Sequence, residues 1–189
     1  VAVQHIGGNI GRQVVAGGQN VNTSITGVTP EYLEVRNLEV TAGQFITEQN
    51  IQARSLVCVL GSSVAEDLFG AINPIGQMVR IDNRQFQVIG VLESKGGTGF
   101  GNQDDVVLVP LTTAVSRLMP PSEQRTTTGE IRVSTIYVQA VDEDEIGPAI
   151  EEITELLRQR HRITGEDDFT IVNQMDILET LQGATGALT

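Results

Sequence analysis

The stretch Leu60–Ile81, LGSSVAEDLFGAINPIGQMVRI, decides how this chain is read. It leaves an apolar strand at Leu56–Leu60, turns at Gly61, continues as a helix over Ser63–Phe69, and enters a second strand at Gln77–Ile81. A strand, a Gly-Ser turn and a helix are the setting of a hydrolase nucleophile. Gly61-Ser62-Ser63-Val64-Ala65 is one substitution short of G-x-S-x-G. The same residues have a second reading. Ser63 and Glu66 have the spacing of a capping box, in which the serine hydroxyl accepts from the Glu66 amide and the glutamate reaches back to the serine amide. Gly70 and Asn73-Pro74 then end the helix. Pro74 fixes the loop, and Gly76 reads as a position that a side chain would crowd.

The rest of the chain favours the cap. There are 2 histidines, His5 and His161. His161 lies within Arg160-His161-Arg162 at the end of a helix, where adjacent positive charge disfavours an imidazolium and opposes general-base work. No HGG-type oxyanion loop precedes the serine. A secreted serine hydrolase stays as a minor alternative, and no catalytic residue is assigned.

Composition narrows the class. With 189 residues, 40% of them apolar, the chain is long enough for one domain or two small lobes with a core. Aromatics are 4% and Trp is absent, so Val, Ile and Leu must build that core, which favours a sheet-rich or mixed fold. Twelve basic against 24 acidic residues give a net charge of −12, and Lys95 is the only lysine. A phosphate-rich partner would be repelled, so nucleic acid is not expected. Cys58 sits in the apolar run LVCVL and reads as a buried small hydrophobe. No apolar run reaches the length of a membrane span, and no signal peptide is visible. The first residue is Val1, which suggests a piece excised from a longer protein.

Local rules place the other elements. Arg12–Ala16 and Val21–Val28 flank a Gly-Gly-Gln-Asn turn and read as a hairpin. Thr29-Pro30-Glu31 starts a short helix with Thr29 as its cap and Tyr32, Leu33 and Val35 buried. Gly43-Gln44-Phe45 is a turn, and Thr47 caps a turn of helix. Asp82-Asn83 joins the strand ending at Ile81 to one at Gln85–Leu92, whose Phe86, Val88, Gly90 and Leu92 share a face. Val106–Val109 is a strand stopped by Pro110, and Leu111–Leu118 is a helix. Alternation over Ile131–Val141 predicts a strand. Asp142–Arg162 is mainly helical, with Pro148 in the first turn and Ile146, Ile150, Ile153 and Leu157 in one stripe. Acidic residues open that helix and basic ones close it, as the helix dipole favours. Phe169–Val172 reads as a strand, and Asn173 caps a last helix through Met175, Leu178 and Leu181.

Two loops stand out. Lys95–Gln103, KGGTGFGNQ, resembles a phosphate cradle, but no helix follows it and it runs into Asp104-Asp105. It reads as an exposed connection suited to partner contact. The polar stretch Pro120–Gly129 is the second such loop. The contact residues proposed from them are Gly97, Thr98, Gly99 and Phe100, with Gln124 and Arg125. The acidic clusters Asp104-Asp105, Asp142–Glu145 and Glu166-Asp167-Asp168 lack calcium-loop spacing and read as helix starts and solvated turns, so no metal site is assigned.

Several stretches occur together in one order: TPEYLEV from Thr29, VLGSSVAEDLFG from Val59, NPIGQ from Asn73, FQVIGVL from Phe86 and VPLTTA from Val109. The set resembles the MacB-like periplasmic core domain of ABC transporter permeases, over roughly Val21 to the C-terminus. The resemblance implies an α+β, two-lobed domain: a porter-like α/β lobe from residues 1–28 and 126–189, and an inserted lobe from residues 29–125. It implies an inner-membrane protein whose domain lies on the periplasmic side, between the first two membrane helices of an efflux or export permease. Such a domain has no cofactor of its own, since ATP and magnesium belong to a cytoplasmic nucleotide-binding part. It couples ATP hydrolysis there to movement and contact here. The implied partners are a periplasmic adaptor of membrane-fusion type, through it an outer-membrane channel, and a second permease copy, while the excised domain is expected to be monomeric. Related permeases that release lipoproteins or regulate a cell-wall hydrolase are the alternatives. The chain departs from the pattern at its start. The porter-like lobe opens with a strand and a helix, whereas Val1–Gly11 is too short and glycine-rich for a helix, so that unit reads as missing.

Overall fold

Alternation of apolar and polar residues builds a curved sheet that closes on itself. The computed structural model describes residues 2–6, 12–98, 101–102, 104–120 and 133–173. They belong to two compact units, Val1–Gln139 and Ala140–Thr189.

In the first unit, β1 (Ala2–Ile6), β2 (Arg12–Ala16) and β3 (Gln19–Val28) come first. β2 and β3 form the expected hairpin, with Ala16 opposite Gln19. Its turn is Gly17-Gly18, both at positive φ, which lets the hairpin reverse in two residues without a side-chain clash. After α1 (Tyr32–Val35), β4 (Val40–Gly43) and α2 (Glu48–Ala53) come β5 (Val57–Leu60), α3 (Ser62–Phe69), β6 (Met78–Ile81) and β7 (Arg84–Leu92). Asp82 and Asn83 turn β6 into β7 with φ of 47° and 64°, the left-handed pair that short hairpins need. A two-stranded ribbon, β8 (Gly97–Thr98) and β9 (Gly101–Asn102), precedes β10 (Val106–Pro110). The helix after it begins as α4 (Leu111–Thr113) and widens into a π-helical turn over Ala114–Leu118. β11 (Thr135–Tyr137) pairs with β1.

The sheet runs β10-β5-β7-β6-β2-β3-β1-β11, with β4 beside β7. β10 also pairs in parallel with β3, Val106 opposite Ser24 through Pro110 opposite Val28. That pairing closes a ring of six strands, β10-β5-β7-β6-β2-β3. Val14, Ile25, Cys58, Leu60, Val79, Ile81, Phe86, Val88, Val107 and Val109 fill one core cluster, joined by Val64, Ala65 and Leu68 of α3. At one end, Arg12 pairs with Asp82, and Arg84 Nε donates to the Arg117 carbonyl at 3.0 Å, tying the π-helical turn to β7. A second cluster gathers Val28, Tyr32, Ile46, Val59, Leu92 and Leu108. There Arg36 lies over the Tyr137 ring at 4.8 Å, and Tyr32 meets the same ring edge-on at 5.8 Å. Residues 12–28 thus contribute two strands to the same sheet as β4, β5, β6, β7 and β10, while β8 and β9 pair apart from it.

The second unit contains α5 (Ile146–His161), with Pro148 in its first turn as expected. Arg158 clamps Asp167 through two bonds of 2.7 and 2.9 Å, and His161 Nδ1 lies 2.8 Å from Asp168 Oδ1. Arg162 stops the helix in a left-handed conformation, φ 56°.

Several local expectations are corrected. The α1 cap position is Glu31, not Thr29, because the chain first makes a turn in which Tyr32 N donates to the Thr29 carbonyl at 3.1 Å. Gly76 has open space where a side chain would sit; its φ of 83° is what favours glycine there. Phe169–Val172 forms no strand, since none of the described strands pairs with it. The strand expected over Ile131–Val141 extends over Thr135–Tyr137, with residues 131–132 outside the described part. β1 and β4 form where the sequence gives no strand pattern. The last helix, through Met175, Leu178 and Leu181, lies outside the described residues.

Candidate functional site

The turn after β5 and the glycine ribbon are parts of one arrangement. α3 begins at Ser62, with Gly61 in the cap position and no side-chain capping bond. Ser63 is therefore the second helical residue, and the expected Ser63–Glu66 capping box does not form. The helix starts earlier because Gly61 is fixed from outside. Its amide donates to the Val106 carbonyl at 2.8 Å, and a side chain on Gly61 would collide with the Asp104 carbonyl. The Gly-Ser turn is tight because another strand's backbone occupies the space beside it.

Asp104 is the centre of this arrangement. The sequence suggests a solvated turn there, yet Asp104 is only 6% exposed. Its carboxylate accepts from Ser94 Oγ at 2.6 Å, from Lys95 N at 2.8 Å and from Gly96 N at 3.0 Å. Burial pushes its pKa up, but the bonds from Ser94, Lys95 and Gly96 outweigh burial and hold the carboxyl below its ordinary range. Lys95 Nζ donates to the carbonyl of Asn37, just after α1. The ribbon that follows pairs Gly97 with Asn102 and Thr98 with Gly101.

Of the contact residues expected from the sequence, Gly97 and Thr98 form β8. Gly99, Phe100, Gln124 and Arg125 lie outside the described residues. The structure adds Ser94 and Asp104 as the residues that hold the base of the ribbon. The sequence signal for them was slight: an acid closing a glycine-rich loop that a serine opens.

The hydrolase setting is not assembled by the described contacts. His161 is exposed and pairs with Asp168, its neighbour seven residues on. Ser63 belongs to the first unit and His161 to the second. Burial pushes the Cys58 thiol far up, so it is a protonated core residue rather than a nucleophile. Among the described residues, no group of three or more His, Cys, Asp or Glu side chains is placed to hold a metal ion, and no helix is long and apolar enough to cross a membrane.

A six-stranded ring with its helices, elaborated by a short ribbon, defines a mixed α/β domain. The sequence profile of the MacB-like periplasmic core domain matches residues 1–156, and the chain belongs to that family. A macrolide export ATP-binding/permease protein MacB of Bdellovibrio bacteriovorus is 36% identical over 173 residues, 90% of this chain and 25% of that protein. Its counterpart in Chlorobium luteolum is 37% identical over 174 residues, 92% of this chain and 25% of that protein. The chain thus spans about a quarter of the length of these relatives. The crystal structure of the periplasmic region of MacB from Actinobacillus actinomycetemcomitans superposes with a TM-score of 0.71 at 26% identity, covering 96% of this chain and 73% of that one.

Proposed function

We propose that this domain is the extracytoplasmic part of an ABC-type export permease and that it works by conformational coupling and partner contact rather than by catalysis. The observation that carries the reading is the family match over residues 1–156, together with relatives named as macrolide export ATP-binding/permease proteins. The site geometry is in keeping with it: Gly61 of the apparent nucleophile turn is held by the backbone of Asp104 and Val106, and the loop before them pairs as a short ribbon. ATP would be hydrolysed in a cytoplasmic part of the protein or by a separate subunit. The ribbon at Gly97–Asn102 is the surface proposed to meet a periplasmic adaptor, with the stretch around Gln124 and Arg125 as the second.

The test is a chimera. The corresponding domain of a macrolide-exporting relative is replaced by this chain, and macrolide resistance of cells lacking their own exporter is measured. Restored resistance is expected. A chimera that reaches the membrane, hydrolyses ATP and gives no resistance would count against the reading. Capture of a lipoprotein-sorting or cell-wall-hydrolase partner in its place would move it to one of the related permease classes.

A further inference from the structure

The β8–β9 ribbon poses a physical problem. Two strands of two residues each cannot order themselves, because so small a hairpin gains little from its own pairing. Glycine makes this worse, since it loses more backbone freedom on ordering than any other residue. The order must come from the ribbon's two legs. On the incoming leg, three donors from Ser94, Lys95 and Gly96 converge on the buried Asp104 carboxylate. The Lys95 ammonium is turned away from that carboxylate, to the Asn37 carbonyl, and so adds a second tether. On the outgoing leg, the Asp104 carbonyl lies against Gly61 at the mouth of α3, and the Gly61 amide holds the start of β10 through Val106. One residue therefore grips the strand entering the ribbon with its side chain and seats the strand leaving it with its backbone.

We propose that Asp104 is the positioning residue of the paired strands β8 and β9, fixing where they lie relative to the turn at Gly61. The functional half of this inference rests on the proposed partner contact at the ribbon; the structural half rests on the bonds alone. Asp104→Asn keeps the size of the side chain but replaces one acceptor oxygen by a donor, which opposes the donors that face it.

The experiment has two readouts. Amide hydrogen exchange in the full chain reports the clasp, and macrolide resistance of the chimera reports the contact. For Asp104→Asn, exchange at Lys95 and Gly96 is expected to rise about tenfold or more, as loss of a bond to a charged acceptor implies. Protection at Val88 and Val107 should hold, and resistance should fall severalfold. Ser94→Ala removes the 2.6 Å bond alone and should show the same pattern in weaker form; it decides the matter if Asp104→Asn does not fold. Unchanged exchange at Lys95 and Gly96 would overturn the clasp. Lost protection with full resistance would overturn the positioning role. A chimera inactive even with Asp104 intact would instead overturn the permease reading, and the exchange result would still decide the clasp.

Discussion

Two helix starts in this domain have similar sequences and different causes. At α2, Thr47 accepts from the Asn50 amide at 3.4 Å and the Asn50 side chain accepts from the Thr47 amide at 3.0 Å, a reciprocal capping box made entirely by neighbours in sequence. At α3, Ser63 and Glu66 have the same spacing and make no such box. There the start is set by Gly61, held between the Val106 carbonyl and the Asp104 backbone, residues more than forty positions away. The first start is local chemistry and the second is tertiary packing. A capping motif is realised only where no distant backbone has already fixed the turn.

Substitutions should separate the two. The largest effect is expected at Gly61. Gly61→Ala drives a methyl group into the Asp104 backbone carbonyl, which cannot swing aside as a side chain would, and should destabilise the domain by about 3 kcal/mol, in the range of overpacked core sites. Chemical denaturation of the variant measures this directly. A loss under about 1 kcal/mol would show that the Gly61–Asp104 contact yields easily.

Acid should act on the same side of the comparison. Asp104 has its pKa lowered in the folded state, so its contribution is present above the unfolded carboxylate value of about 4 and is lost as the pH falls through the lower folded value. Exchange at Lys95 and Gly96 should accelerate in that acid window before the exchange at Val88 does. Acceleration at higher pH, around neutrality, would point to another group.

At α2, Thr47→Ala removes a working cap and should cost about 1 kcal/mol. Its counterpart Ser63→Ala removes no capping bond and should change stability by less than about 0.5 kcal/mol. Equal losses at the two positions, seen as equal shifts in denaturation midpoint, would erase the distinction. Cys58, fully buried in β5, should resist thiol reagents in the native state and react once in denaturant; rapid native labelling would mean that the core opens readily.

The parts legible in the sequence are those governed by neighbours. The Gly17-Gly18 and Asp82-Asn83 hairpins, the Thr47 cap and the placement of Pro148 in α5 all follow from rules spanning a few residues. The single face expected over Phe86, Val88, Gly90 and Leu92 breaks at a bulge between Val88 and Gly90, so Phe86 and Val88 join the first core cluster and Leu92 the second. The closure of the ring by β10 on β3 did not show, because that pairing joins residues about eighty positions apart and leaves no periodic mark. β1 was hidden for a similar reason: its pairing with β11 depends on residues at the far end of the unit. For the site, glycine content located the ribbon, but charge alone misplaced Asp104. An aspartate beside a second aspartate looks solvated until three donors are seen to converge on it.

The most direct test of the whole account is the resistance conferred by the chimera carrying Ser63→Ala. If the strand–turn–helix at Leu60–Phe69 is architecture within an export domain, resistance will equal that of the unsubstituted chimera. If resistance disappears while the chimera still folds and reaches the membrane, Ser63 takes part in the chemistry and the reading of this domain as a non-catalytic coupling element is contradicted.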